Sequence, residues 1–404
     1  MDIEIVAIGD EILAGAVVNT NAAFIGSRLL EVGYKVARQA TFSDDPEAIK
    51  QNLKEAMGRS ALVIATGGLG PTCDDLTRDV ACALFSSEMH LDERIAQDLK
   101  NRFGSLPISL ENQATVPVKA KVLMNTIGTA PGLVFEEKGS TLILLPGVPQ
   151  EMRTMLERDV LPYILKYHPL KEKTVQKKLS FSLLTEGQVD PFLRILEKDH
   201  PEVQFGIYPG YGILTVACTS KKETEIEKAI TALYTHFQDH YVASPSGKLE
   251  EAVALLLTDK KKTLALAESM TGGLMAAQLT AMAGASDYLI GSCVVYSNAM
   301  KTVVLHVSEK TLKDHGAVSE EVVREMLQGL LKVTDADYGI AVTGIAGPSG
   351  AVINKPIGTV WGAVGARGKE PFVEQFLARG TREMILLYAC RRLFANLLTY
   401  CKNS

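Results

Sequence analysis

Short apolar runs alternate with helix-length amphipathic segments along most of this chain, and that alternation limits the fold more than any other feature. Strands separated by a dozen or more residues of amphipathic helix are spaced as parallel crossovers require and not as tight hairpins, so the pattern predicts βαβ units. From residue 1 to about 168 the strand-like runs "IEIVAIG", "YKVARQATF" and "ALVIATGG" are separated by the helical segments "NTNAAFIGSRLLEVG" and "PEAIKQNLKEAMG", followed by "DDLTRDVACALF". The run "LILLPG" and the helix "PQEMRTMLERDVLPYIL" close this unit. Between 171 and 243 the pattern changes. There "VQFGIYP" and "GILTVACT" adjoin across "YPGYG", which predicts a hairpin inside a small α+β module. A linker-like "ASPSGK" follows, and alternation resumes from 248 to 404. The expected fold is α/β: two α/β domains with mostly parallel sheets (1–168 and 248–404) joined by the small α+β module (171–243).

With 404 residues, 47% of them hydrophobic and 22% charged, the chain is long enough for several folded cores. Acids outnumber bases by five (47 against 42), and no run of Lys or Arg is long enough to track phosphates, which argues against nucleic acid as a partner. No apolar run approaches the roughly 20 residues of a membrane span, and an acid stands at position 2, where a secretory leader would be basic. A cytoplasmic protein without a membrane partner is expected. The six cysteines form no CxxC pair and read as reduced structural residues.

Two places carry chemistry. In "TGGLGPTCDD" (66–75), at the end of a strand, Gly67, Gly68 and Gly70 allow the backbone to approach an anion, with amides facing phosphate oxygens. Asp74 and Asp75 close that loop, while Asp10 and Glu11 close the first strand. The four carboxylates could gather at one sheet edge and hold a hard divalent cation. Equally, Asp74 suits a helix cap and Asp10 a strand end. Asn19 and Asn21 in "NTN" suit either substrate hydrogen bonds or a helix cap.

The second place is "LALAESMTGG" (264–273). Ser269 stands where a strand turns into a helix, beside amides of Thr271, Gly272 and Gly273 that could form an oxyanion hole. A helix cap is the competing role. His306 and His315 have no evident link to that strand end, whereas Lys301, just after the next strand-like run, could serve as base if burial lowered its pKa. A surface lysine is the alternative. The loop "TGIAGPSG", with Thr343, Gly344 and Gly347, reads as a second anion loop.

The motifs "IVAIGDEILAG", "VNTNAAFIGSRL", "TGGLGPTCDDLTRD", "GTAPGL" and "LPGVPQEM" resemble the molybdopterin-binding-like domain of the competence/damage-inducible protein CinA family. Those at "AESMTGG", "VVYSNAMK", "HGAVSEEV", "VTGIAGPSG" and "KPIGTVW" are similar to that family's carboxy-terminal amidohydrolase domain. The resemblance implies a bifunctional enzyme of pyridine-nucleotide salvage. One domain would hydrolyse nicotinamide mononucleotide to nicotinate mononucleotide and ammonia, with Ser269 as nucleophile, Lys301 as base and Tyr296 orienting the dyad or the substrate. The other would split ADP-ribose into AMP and ribose 5-phosphate with Mg²⁺, Mn²⁺ or Co²⁺, and the deamidase would need no cofactor. Arg382 matches a family arginine expected to reach substrate, and Glu268 is expected to hold Ser269 or Lys301. A homodimer is expected, organised by the middle module. The sequence departs from the family pattern at Met270, Ala351, Asn354 and Leu386. Two other readings fit: a nucleotide-binding regulator that turns nothing over, and a pterin-binding protein of molybdenum-cofactor synthesis.

Overall fold

The computed structural model describes residues 2–104, 108–170 and 172–403. The chain divides into two compact units, Met1–Gln176 and Lys177–Ser404. The predicted module start at residue 171 lies outside the described residues, and nearly all of the module belongs to the second unit.

The first unit contains strands β1 (Ile3–Ile8), β2 (Arg38–Phe42), β3 (Leu62–Thr66), β4 (Met89–Leu91), β5 (Thr115–Pro117), β6 (Lys121–Leu123), β7 (Gly132–Glu137) and β8 (Ser140–Leu145). Its main sheet has the order β2-β1-β3-β8-β7-β6, with the first four parallel and the last two antiparallel. β1 and β8 are buried along their whole length because helices cover both faces. Alternate residues feed two cores: Val6, Val63 and Leu142 enter one, Ile5, Ile64 and Ile143 the other. Asn19 caps the helix Thr20–Glu31 by accepting from the Ala22 amide. The predicted helix at "DDLTRDVACALF" begins later, at Thr77. The chain before it is held in a turn by Asp75, whose carboxylate takes the amide and hydroxyl of Thr72.

The second unit opens with β9 (Val175–Ser182), which starts just ahead of it, then β10 (Gln204–Gly210) and β11 (Ile213–Ser220), in the order β10-β11-β9. The hairpin forms at Tyr211–Gly212 as predicted, with Gly210 opposite Ile213. Next come β12 (Leu264–Glu268), β13 (Leu289–Val294), β14 (Tyr338–Gly344), β15 (Thr359–Ala366) and β16 (Phe372–Leu377), ordered β13-β12-β14-β15-β16. The first three are parallel, and β15 and β16 run antiparallel. Leu264 and Leu266 point into one core, Ala265 and Ala267 into the other. The same alternation sends Glu268 and Ser269 to opposite faces of the sheet.

All six cysteines are free thiols. Among the described residues no helix is long and apolar enough to cross a membrane.

Candidate functional site

In the first unit, a cavity of about 510 Å³ opens at the carboxyl ends of β1 and β3, where open α/β sheets bind ligands. Gly67, Gly68 and Gly70 form one wall. Gly67 has φ of +110° and lies so close to β1 that a Cβ would stand 2.2 Å from the Ile8 carbonyl oxygen, so no other residue fits there. The opposite wall comes from Thr129, Ala130 and the "PGVPQE" segment, which supplies Glu151.

The carboxylates Glu11, Asp44, Asp74, Asp75 and Glu151 line this cavity, and among the described residues no Lys or Arg does. Asp10 is not among them; its amide instead donates to Asp44. Hydrogen bonding, led by the Thr72 hydroxyl, holds the Asp74 carboxyl below its ordinary value. The expected convergence of Asp10, Glu11, Asp74 and Asp75 on one ion does not occur: among the described residues no three His, Cys, Asp or Glu side chains stand close enough together to hold a metal. Asp10 opens the short helix Asp10–Leu13 and does not line the cavity, and Asp75 folds back on Thr72. Sequence reasoning missed Asp44 and Glu151. Glu151 lies within the quoted "LPGVPQEM" run, so its position was visible though its role was not.

Asn19 caps its helix through Oδ1 and also lines the cavity, and Asn21 is buried at the same wall. Its Nδ2 donates to the Gly147 carbonyl at 2.7 Å, which fixes the amide orientation and leaves Oδ1 without a partner. A buried acceptor so placed is a ready contact for an N–H or O–H of a ligand.

In the second unit, β12, an interior strand between β13 and β14, ends at Glu268 and presents Ser269. Lys301 lies on the helix Asn298–Leu305, which follows β13, the strand beside β12. The lysine is only 1% exposed. Its Nζ stands 3.0 Å from Ser269 Oγ, 2.9 Å from the Val295 carbonyl oxygen and 3.1 Å from that of Tyr296. Burial pushes its pKa down from 10.5 to about 8. A neutral amine has two N–H donors and one lone pair. The two carbonyls occupy the donors, so the lone pair is left for the Ser269 hydroxyl proton. The cap and surface-lysine alternatives both fail on this geometry.

Tyr296 is exposed, and its hydroxyl accepts from Arg382 at 3.4 Å. Arg382 also donates to the Gly347 carbonyl at 2.7 Å, tying the "GIAGPSG" loop to the tyrosine. Thr343 is buried and its hydroxyl donates to Ala317. Gly344 packs on Met270, where a Cβ would meet the sulfur at 2.3 Å, so Met270 is a packing residue. Asn354 takes φ of +69° in the turn bridging Val352 and Lys355, a conformation asparagine tolerates. Ala351 is exposed beside that turn, and Leu386 packs on the core.

Two expectations need correction. The Gly273 amide donates to Glu268 and the Gly272 amide to the Ser269 carbonyl, so neither is available for an oxyanion. Glu268 holds neither Ser269 nor Lys301. It is fully buried on the other face and accepts from the Gly273, Met275 and Ala276 amides and from the Ser292 hydroxyl.

Residues 4–166 match the family of the probable molybdopterin binding domain, and residues 246–401 match the CinA C-terminal domain. The chain is 36% identical over 413 residues to a CinA-like protein of Thermotoga maritima, covering 99% of this chain and 98% of that one. It is 38% identical over 411 residues to a CinA-like protein of Akkermansia muciniphila, covering 98% and 96% respectively. The solved structure of the protein CinA with unknown function from Thermoplasma acidophilum is 36% identical and covers 40% of this chain and 96% of that one, with a TM-score of 0.38. With both domain matches present in order and relatives aligned from end to end, the chain belongs to the CinA family.

Proposed function

We propose that the second unit hydrolyses the carboxamide of nicotinamide mononucleotide to nicotinate mononucleotide and ammonia. The observation that carries this reading is the buried Lys301 amine 3.0 Å from Ser269 Oγ, its other two contacts being the Val295 and Tyr296 carbonyls. Ser269 Oγ attacks the amide carbon as its proton passes to Nζ. Lys301 then gives that proton to the departing amine, so ammonia leaves and an ester remains on Ser269. Water, deprotonated by the same amine, attacks the ester, and the serine regains its proton. Arg382, fixed by Gly347 and Tyr296, offers a planar cation to the mononucleotide phosphate. The test is ammonia release from nicotinamide mononucleotide by the purified full chain. A steady rate supports the reading, and no release at millimolar substrate ends it.

For the first unit we propose hydrolysis of ADP-ribose to AMP and ribose 5-phosphate. Five carboxylates without a single Lys or Arg would repel a diphosphate unless a cation came with it. A hard divalent ion is commonly held by one or two carboxylates plus substrate phosphates, which suits acids that line a cavity without converging. Glu11 and Asp74, which line the cavity, are the side chains that would share it with the diphosphate, and bound there it would offset diphosphate charge and acidify a water. Asn21 Oδ1 would accept from the substrate. Removing divalent ions with a chelator is expected to abolish AMP release, and adding Mg²⁺ or Mn²⁺ back to restore it. Ammonia release in the same sample should not change. Chelator-resistant AMP release would rule out the cation's role.

A further inference from the structure

The correction at Glu268 leads further. Four donors converge on this one carboxylate: the Gly273 and Met275 amides at 3.0 and 3.1 Å, the Ala276 amide at 3.0 Å and the Ser292 hydroxyl at 3.0 Å. Three of them are N–H groups at the start of the helix Leu274–Thr280, which have no carbonyl of their own helix to reach. The fourth ties the turn to β13, the strand leading to Val295 and Tyr296, whose carbonyls hold Lys301. Glu268 therefore ties the turn that follows Ser269 to the strand that leads to the carbonyl partners of Lys301.

The remaining amides of the turn can be accounted for one by one. Ser269 donates to the Val342 carbonyl, Gly272 to the Ser269 carbonyl and Leu274 to the Thr271 carbonyl. The Met270 and Thr271 amides donate to no group among the described residues. The Thr271 hydroxyl is buried and unpartnered, with the residue only 4% exposed. A buried donor left unmade is costly unless something else fills it, and these three lie one and two residues from the nucleophile.

We propose that Glu268 is a positioning residue whose four hydrogen bonds hold the 269–273 turn so that the Met270 and Thr271 amides and the Thr271 hydroxyl receive the negative charge developing on the substrate oxygen. This rests on the deamidase reading of Ser269. The expected three-amide hole thus moves one residue toward the serine.

The test compares Glu268→Gln and Thr271→Val with the parent full chain, both substitutions being close in shape. A carboxamide turns an NH₂ toward amides that need an acceptor, so Glu268→Gln is expected to lower kcat for ammonia release about 10²-fold, within the range for losing oxyanion donors. KM should stay within about threefold, and the pH midpoint of kcat/KM should not move. Thr271→Val should show the same pattern, about 10-fold. A second readout needs no natural substrate: the rate at which a fluorophosphonate labels Ser269. In that reaction the Oγ–P bond forms, the P–F bond breaks, fluoride leaves and Lys301 takes the serine proton, while the P=O oxygen needs the same donors. Labelling should slow in parallel in both variants.

If the parent labels but releases no ammonia, the substrate reading has failed while labelling still tests Glu268. Parent-like kcat and labelling in both folded variants would overturn the proposal. So would a shifted pH midpoint in Glu268→Gln, which would mean that the carboxylate acts on the charge of Lys301. Should Glu268→Gln fail to fold, Thr271→Val and Ser292→Ala decide: parent-like labelling in both overturns the proposal, and slowed labelling in both supports it.

Discussion

Ser269→Ala, Lys301→Met and the double variant are each expected to lower ammonia release by the same factor, about 10⁴ or more. Residues that act as one unit lose nearly everything at the first substitution, so the effects should not add. Additive losses, or appreciable turnover in Ser269→Ala, would show that serine and lysine do not form a dyad. The pH dependence gives a second signature. The amine accepts the serine proton only when neutral, and burial places its pKa at about 8. In the parent, kcat/KM is therefore expected to rise through about pH 8 and level off above it.

Stability carries the same sign. Between about pH 8 and 10.5 the unfolded chain holds a proton on Lys301 that the folded protein has released. Lys301 should thus make the folded state more stable as pH rises across that window, by up to about 1.4 kcal/mol per pH unit. Below pH 8 both states are protonated and the slope vanishes. Chemical denaturation at pH 7.5 and 9.5 should show this rise in the parent and lose it in Lys301→Met. An unchanged slope would mean that the amine is not depressed.

Gly329→Ala is expected to cost about 3 kcal/mol of stability and to lower ammonia release at least about 10-fold, without touching a reacting group. Gly329 lies inside the helix Glu320–Thr334, packed against the end of the helix that carries Lys301. A Cβ there would fall 1.9 Å from the Leu305 carbonyl oxygen and 3.1 Å from its Cα. These are backbone atoms, so the lysine's helix must move, and overpacking of this kind costs about 1–3 kcal/mol and occasionally more. A displacement of about 1 Å at the dyad is enough for a large loss of rate. Gly187→Ala is the control, since a Cβ at Gly187 meets nothing within 4 Å. It should leave stability within about 0.5 kcal/mol of the parent. Parent-like activity in Gly329→Ala would show that the approach of the two helices does not set the dyad.

Much of this was legible in the sequence, because the signals are local. The spacing of apolar runs fixed the parallel strands, "NTN" announced a cap that Asn19 makes, and "YPGYG" turned where glycine allows. Ser269 stood out because a strand running into "SMTGG" puts a hydroxyl at a sheet edge whatever surrounds it. Lys301 was the one base in reach by chain order.

What only the tertiary structure decided were the partners of each group, because a hydrogen bond goes to the nearest competitor in space. Glu268 sits next to Ser269 in the chain, yet strand alternation turns it to the opposite face, where helix amides claim it. Two glycine amides that looked free are occupied. The Asp75 carboxylate finds Thr72 before any shared ion and Asp10 stays outside the cavity, while Asp44 and Glu151, 107 residues apart, both line it. The sequence by itself determined which residues could do chemistry and on which strand ends they stand, since propensity and periodicity act over a few residues. Which of them are free to do it depends on contacts between segments far apart in the chain, and those exist only once the sheets have closed around them.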